Sequence, residues 1–170
     1  FGTSTAVTFA SGEASIPMIL YKAETADVTA TDGNINSDDF KLHVVVSQNS
    51  SNYLAITGSS TQNAGASQTI TITAFDAYNN EATAYNGNKT LVFSGANPSP
   101  ASNNPTVAGT LFGSSTTLSF TSGVATGSMI LYKTEQAEIN VSDGSINADN
   151  HKLSVLVAPS ILKDFLVYGV

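Results

Sequence analysis

The chain contains no cysteine, no tryptophan and no arginine. Without cysteine there is neither a disulfide framework nor a thiolate metal site. Stability has to come from burial, from neighbouring chain or from bound ions. Charged residues make up only 11% of the chain, and the net charge is −7. That balance argues against nucleic acid, whose binding needs clustered cations to displace counterions. It argues equally against an anionic membrane surface. No run of about twenty apolar residues occurs, so membrane insertion is not expected in this segment. No secretory signal pattern is visible. Neither a G-x-S-x-G elbow nor a G-x-x-x-x-G-K-[ST] loop is present, and no pair of carboxylates is set up to converge in a cleft. The chain is not expected to be an enzyme.

What is abundant is Thr, Ser, Asn and Gly, beside 41% hydrophobic residues. Thr favours strands, while Asn and Gly favour turns. The apolar residues alternate and can build a core, so low charge here does not mean disorder.

Self-similarity organises the rest. FGTSTAVTFASG opens the chain, and FGSSTTLSFTSG begins at Phe112, an offset of 112 − 1 = 111. The same offset carries MILYKAE (18–24) onto MILYKTE (129–135), DGNINSDD (32–39) onto DGSINADN (143–150), and KLHVVV (41–46) onto KLSVLV (152–157). Without a gap, residues 1–59 pair with 112–170, and 25 of the 59 pairs are identical. The expected organisation is therefore the C-terminal part of one copy at 1–46, a complete copy at 47–157, and the first strand of a following copy at 158–170. The chain is expected to start and stop in mid-domain, as a piece of a longer array. The unfinished core of the first copy would then be exposed near Met18, Leu20, Val28 and Val44.

Within the complete copy, seven strands are predicted, at 53–56, 69–75, 89–93, 116–120, 124–133, 138–142 and 152–157. TITITAF (69–75) alternates strictly, placing Ile70, Ile72 and Ala74 on one face and threonines on the other. By the same reasoning Leu91, Phe93, Leu118, Phe120, Met129, Leu131, Ile139, Val141, Leu153, Val155 and Val157 point inward. Residues 96–109, with three prolines, read as a loop. No segment has sustained helical periodicity. Seven short strands separated by turns predict an all-β fold of two packed sheets.

The segment TITITAFDAYNNEATAYNGNKTLVFSG (69–95) resembles the second-strand region of bacterial Ig-like repeats of invasin-type and other giant surface adhesins. Those repeats commonly read as an alternating strand, D-x-x-G-N, a polar stretch and a V-x-F strand. Asp76, Tyr78 and Asn80 match, and Asn79 stands where the family usually has Gly. Asn tolerates positive φ better than most residues, so the turn survives the exchange. The closing GVAT (123–126) and AEINVSDG (137–144) are similar to the family's last strands. The resemblance implies Ig-like β-sandwich domains in tandem, with a repeat of about 111 residues. Its implication for function is weaker, since such folds host many roles.

The most distinctive polar feature is an Asp-rich hairpin found twice: Asp32, Asn34, Asn36 and Asp38, then Asp143, Ser145, Asn147 and Asp149. Hard cations take six to eight oxygens, and spaced carboxylates on a turn supply several, so weak Ca²⁺ binding at Asp32, Asn34, Asn36 and Asp38 and at Asp143, Asn147 and Asp149 is one reading. The order of ligands in an EF-hand is absent. The competing reading is a polar turn whose Asp and Asn side chains bond their own backbone. No other cofactor is implied. His43 and His151 do not recur between the copies and read as surface or strand-face residues. Sequons stand at Asn49, Asn88 and Asn140.

The function expected from these features is a structural repeat segment of a long extracellular surface protein: an adhesin stalk, sheath or filament. It would act as spacer and self-assembly unit. Its partners would be neighbouring repeats of the same long chain, with lateral packing into a homopolymeric filament as a variant. Two alternatives stand beside it. One is a carbohydrate- or surface-binding module, for which Tyr78 and Tyr85 would have to form an exposed platform. The other is an accessory domain of a large secreted enzyme.

Overall fold

Alternating Thr and Ile over residues 69–75 can bury one face only by extending as a strand, and in the computed structural model, which describes residues 4–160, Ser67–Phe75 does so. Among the described residues there are twelve strands and no helix. In chain order they are β1 (Glu24–Val28), β2 (Leu42–Val46), β3 (Tyr53–Thr57), β4 (Thr61–Asn63), β5 (Ser67–Phe75), β6 (Gly87–Ser94), β7 (Thr106–Val107), β8 (Thr110–Leu111), β9 (Ser115–Phe120), β10 (Val124–Ile130), β11 (Gln136–Ser142) and β12 (Leu153–Ala158). They fall into two compact units, Phe1–Ser47 and Gln48–Val170. The strand expected to open a following copy at 158–170 lies, beyond Ser160, outside the described residues.

In the second unit the described strands form two five-stranded sheets, ordered β3-β5-β10-β7-β8 and β4-β12-β11-β6-β9. The inward side chains of both sheets make one hydrophobic cluster, so the unit is β-sandwich-like. All fourteen residues predicted to point inward from the alternation are buried there. Every pairing is antiparallel except β12 with β4.

Three strands depart from the sequence expectation. β4 carries no apolar alternation because its inward residue is Gln62. That side chain is buried, donates to the carbonyls of Ala66 and Met129, and accepts from Gln68 Nε2 at 2.8 Å. A buried amide with its partners met fills a core position that hydropathy cannot find. β7 lies inside the stretch 96–109 expected to be loop. Val107 pairs with Met129 and is fully buried. A tight turn with Ala108 at φ 49° and Gly109 at φ 78° returns the chain to β8. The prolines end before this turn, so they do not block its pairing.

The first unit holds a two-stranded sheet, β1 with β2. Its register is Thr25↔Val45, Ala26↔Val44, Asp27↔His43 and Val28↔Leu42. In the second unit β11 pairs with β12 as Gln136↔Leu156, Ala137↔Val155, Glu138↔Ser154 and Ile139↔Leu153. Each of these pairs is the first set moved by 111 positions. The local turns recur as well. Ser11 and Gly12 take φ 53° and 84°, and Ser122 and Gly123 take φ 48° and 83°.

Long-range pairing does not recur. Residues 14–19 form no strand, although the sequence-similar β10 pairs over seven residues with β5. Residues 4–9 likewise form no strand, while β9 pairs along β6. A strand needs a partner for its backbone groups. The hairpin β1–β2 has both partners within the first unit, and the other two segments do not; residues 14–19 also carry Pro17 where β10 has Ser128, which removes one backbone donor.

Candidate functional site

The two Asp-rich turns adopt one geometry. In the first, Asp32 Oδ1 accepts from the backbone amides of Asn34 (2.9 Å) and Ile35 (2.8 Å), and Asn36 Oδ1 accepts from Asp38 N (3.1 Å). In the second, Asp143 Oδ1 accepts from Ser145 N and Ile146 N, both at 2.8 Å, and Asn147 Oδ1 accepts from Asp149 N at 3.0 Å. The hydroxyls of Thr31 and Ser142 accept from Gly33 N and Gly144 N. These side chains cap their own turns, as Asp and Asn do when a short polar side chain can reach the amide two residues on. The bonds hold the Asp32 carboxyl below its ordinary value. The side chains of Asn34 and Asp38 stand exposed on the same turn. Among the described residues, no three His, Asp or Glu side chains cluster as metal ligands.

The second turn does more than cap itself. Asp143 Oδ2 accepts the phenol of Tyr85 at 2.6 Å. Burial raises the Asp143 carboxyl, but the bonds from Ile146 N, Tyr85 and Ser145 N outweigh it, and the carboxyl titrates below its ordinary range. Burial and the same carboxylate push the Tyr85 phenol up. Tyr85 packs edge-on against Phe120 at 4.9 Å, with Lys89 Nζ 4.4 Å from its ring centre. It is 9% exposed, so its ring does not offer a stacking platform. Tyr78 is exposed.

The backbone beyond the turn is tied to β3. Leu54 N donates to Asn147 O (2.9 Å) and Ile56 N to His151 O (3.2 Å). The His151 ring stacks on Tyr53 at 4.2 Å, and Tyr53 stacks on Phe75 at 5.3 Å. The Asp143–His151 stretch is thus a latch. It fastens the second half of the unit (β9–β12) to Tyr53 and Tyr85 of the first half. Of the candidate residues, Asp143, Asn147 and Asp149 come together here, with Asn140 Nδ2 donating to Asp149 at 2.6 Å. His43 lies elsewhere, 2.5 Å from Asp27 across the β1–β2 pair.

One important carboxylate carries no chemistry-bearing signature in the sequence. Asp76 is fully buried. Its Oδ1 accepts from Tyr78 N (2.8 Å) and Asn80 N (2.9 Å), and its Oδ2 accepts from Asn49 N (2.9 Å) and Asn80 Nδ2 (3.0 Å). Burial raises its pKa. The four bonds overcome that and hold it at about 2. Asn79 closes this turn at φ 65°, a conformation that Asn tolerates better than most residues. The D-x-x-x-N spacing marks the loop in the sequence; the burial of its Asp could not be foreseen.

Residues related by 111 positions differ sharply in exposure. Met18 is 38% exposed and Met129 0%, Phe9 69% and Phe120 2%, Leu42 56% and Leu153 8%. Leu20, Val28, Val44 and Val46 are half-buried, while Leu131, Ile139, Val155 and Val157 are buried. In the first unit Leu20, Ala26 and Val46 line an open hollow.

No protein-family model matches the chain, and no curated protein matches it.

Proposed function

We propose that this chain is a structural segment of a long extracellular surface protein, built from Ig-like domains in tandem and serving as spacer and self-assembly unit in a stalk, sheath or filament. The carrying observation is that one residue set, repeated at an offset of 111, is buried in the second unit and exposed or half-buried in the first although its hairpin register is unchanged. A hairpin alone is marginal in water, and its apolar face needs a second layer. In a tandem array each copy obtains that layer from chain of the same pattern, and every domain contacts only its neighbours. The Asp76 turn and the two-sheet core support the Ig-like reading. The exposed Thr, Ser and Asn faces suit an outer surface that relies on neither disulfides nor charge. Imaging the native protein by electron microscopy tests the proposal. Domains strung at regular intervals, as a thread or a packed filament, are expected. Isolated particles with no serial domains would refute it.

A further inference from the structure

We infer that the apolar face of the first unit, with the turn Asp32–Phe40, is a docking surface for one defined occupant: a further copy of the segment at residues 48–111. The inference rests on the tandem reading and names the partner within it.

The second unit displays the seated occupant. Its residues 48–111 lay β3, β5 and β6 against β9–β12 and cover Met129, Leu131, Ile139 and Val155. The first unit offers Met18, Leu20, Val28 and Val44 at the corresponding positions, three of them identical and the fourth Val for Ile. The turn that serves as latch in the second unit is formed here too. Asp32 holds its turn with the same Oδ1 bonds that Asp143 uses. Phe40 corresponds to His151 (151 − 111 = 40) and is 88% exposed. On a further copy, the residue equivalent to Tyr85 would donate its phenol to Asp32, and the equivalent of Tyr53 would stack on Phe40. The carbonyls of Asn36 and Phe40 would accept from the equivalents of Leu54 and Ile56. A second molecule of these 170 residues does not serve, because its one such segment is already held by its own residues 112–157. The occupant is therefore a copy of the segment additional to the one that residues 112–157 already hold.

The test places residues 47–111 directly ahead of residue 1 of the full chain and follows amide hydrogen exchange. Amides of residues 14–19 form no strand in the chain as it stands. Those that carry an exchangeable hydrogen, residues 14–16, 18 and 19 on either side of Pro17, are expected to gain at least about 100-fold protection, approaching that of β10. Unchanged exchange would overturn the inference. Val44→Asp in the extended chain should abolish the gain. Val45→Asp, on the opposite face of the same hairpin, should keep it. Equal loss in both would overturn the assignment of the face. A second reading uses Met18→Ala: it should lower the urea midpoint of the extended chain by about 2 M while leaving that of the chain as it stands in place, and a negligible shift in both refutes the surface. A native protein without serial domains would sink the tandem reading, while protection in the extended chain would still establish the docking surface.

Discussion

Met18 and Met129 are the same residue in the same local sequence, MILYK, and their truncation should have very different costs. Met129→Ala removes three side-chain heavy atoms from a fully buried position between β5 and β7. At about 0.8 kcal/mol per buried methylene-sized group the transfer loss alone is about 2 kcal/mol. The β-sheet backbone on both sides restrains collapse of the cavity, which brings the total to about 3 kcal/mol, within the usual range for such truncations. Met18 has no β5 beside it and is already exposed, so Met18→Ala should cost less than about 0.5 kcal/mol. Equilibrium urea unfolding followed by far-UV circular dichroism and tyrosine fluorescence separates the two. With a slope of about 1.5 kcal/mol/M, Met129→Ala should lower the main midpoint by about 2 M, and Met18→Ala should leave it in place. Equal shifts would refute the claim that only one copy of the motif has a second layer over it.

Three further outcomes follow from the geometry. Tyr85→Phe removes a hydrogen bond to an ionised carboxylate and should destabilise the second unit by about 2 kcal/mol at neutral pH; Tyr85→Phe combined with Asp143→Asn should cost clearly less than the sum, and additivity would break the latch assignment. Asp76 and Asp143 have folded pKa values below their unfolded ones. The stability they add is therefore complete above the unfolded carboxylate value of about 4 and is lost as pH falls through the folded values toward 2. The melting temperature should drop over that window, and Asp76→Asn should both destabilise the unit at neutral pH and flatten the acid slope; an equally steep profile in Asp76→Asn would contradict this. Gly12 and Gly123 share a positive φ, but a Cβ on Gly123 would meet Ala82 O at 2.8 Å while one on Gly12 meets nothing within 4 Å. Gly12→Ala should cost about 1 kcal/mol locally, and Gly123→Ala should shift the main unfolding transition by clearly more.

Strand positions and inward faces were legible because alternation has a period of two and burial acts on each residue independently. The positions missed are those where a polar side chain sits inside or the pairing is short. Gln62 fills a core site through hydrogen bonds, β7 and β8 are two residues each, and Asp76 is a buried anion satisfied by four donors. Hydropathy is blind to all three, since each rests on hydrogen-bond partners and not on an apolar pattern. The Asp-rich turn was visible as a repeated motif. Its self-capping is local and could be anticipated, whereas its hold on Tyr85 and Tyr53 spans 143 − 85 = 58 and 151 − 53 = 98 residues.

By itself the sequence determined the features that close within a few residues: the Ser-Gly turns at 11–12 and 122–123, the Asp-capped turns at 32–38 and 143–149, and a hairpin register common to both copies. Those bonds form wherever the local chain is the same. Tertiary structure alone decided whether MILYK lies in a packed core or open to water. The physical reason is that a strand's hydrogen bonds and the cover over its apolar face both come from other strands. Within the described residues, only the second copy has them.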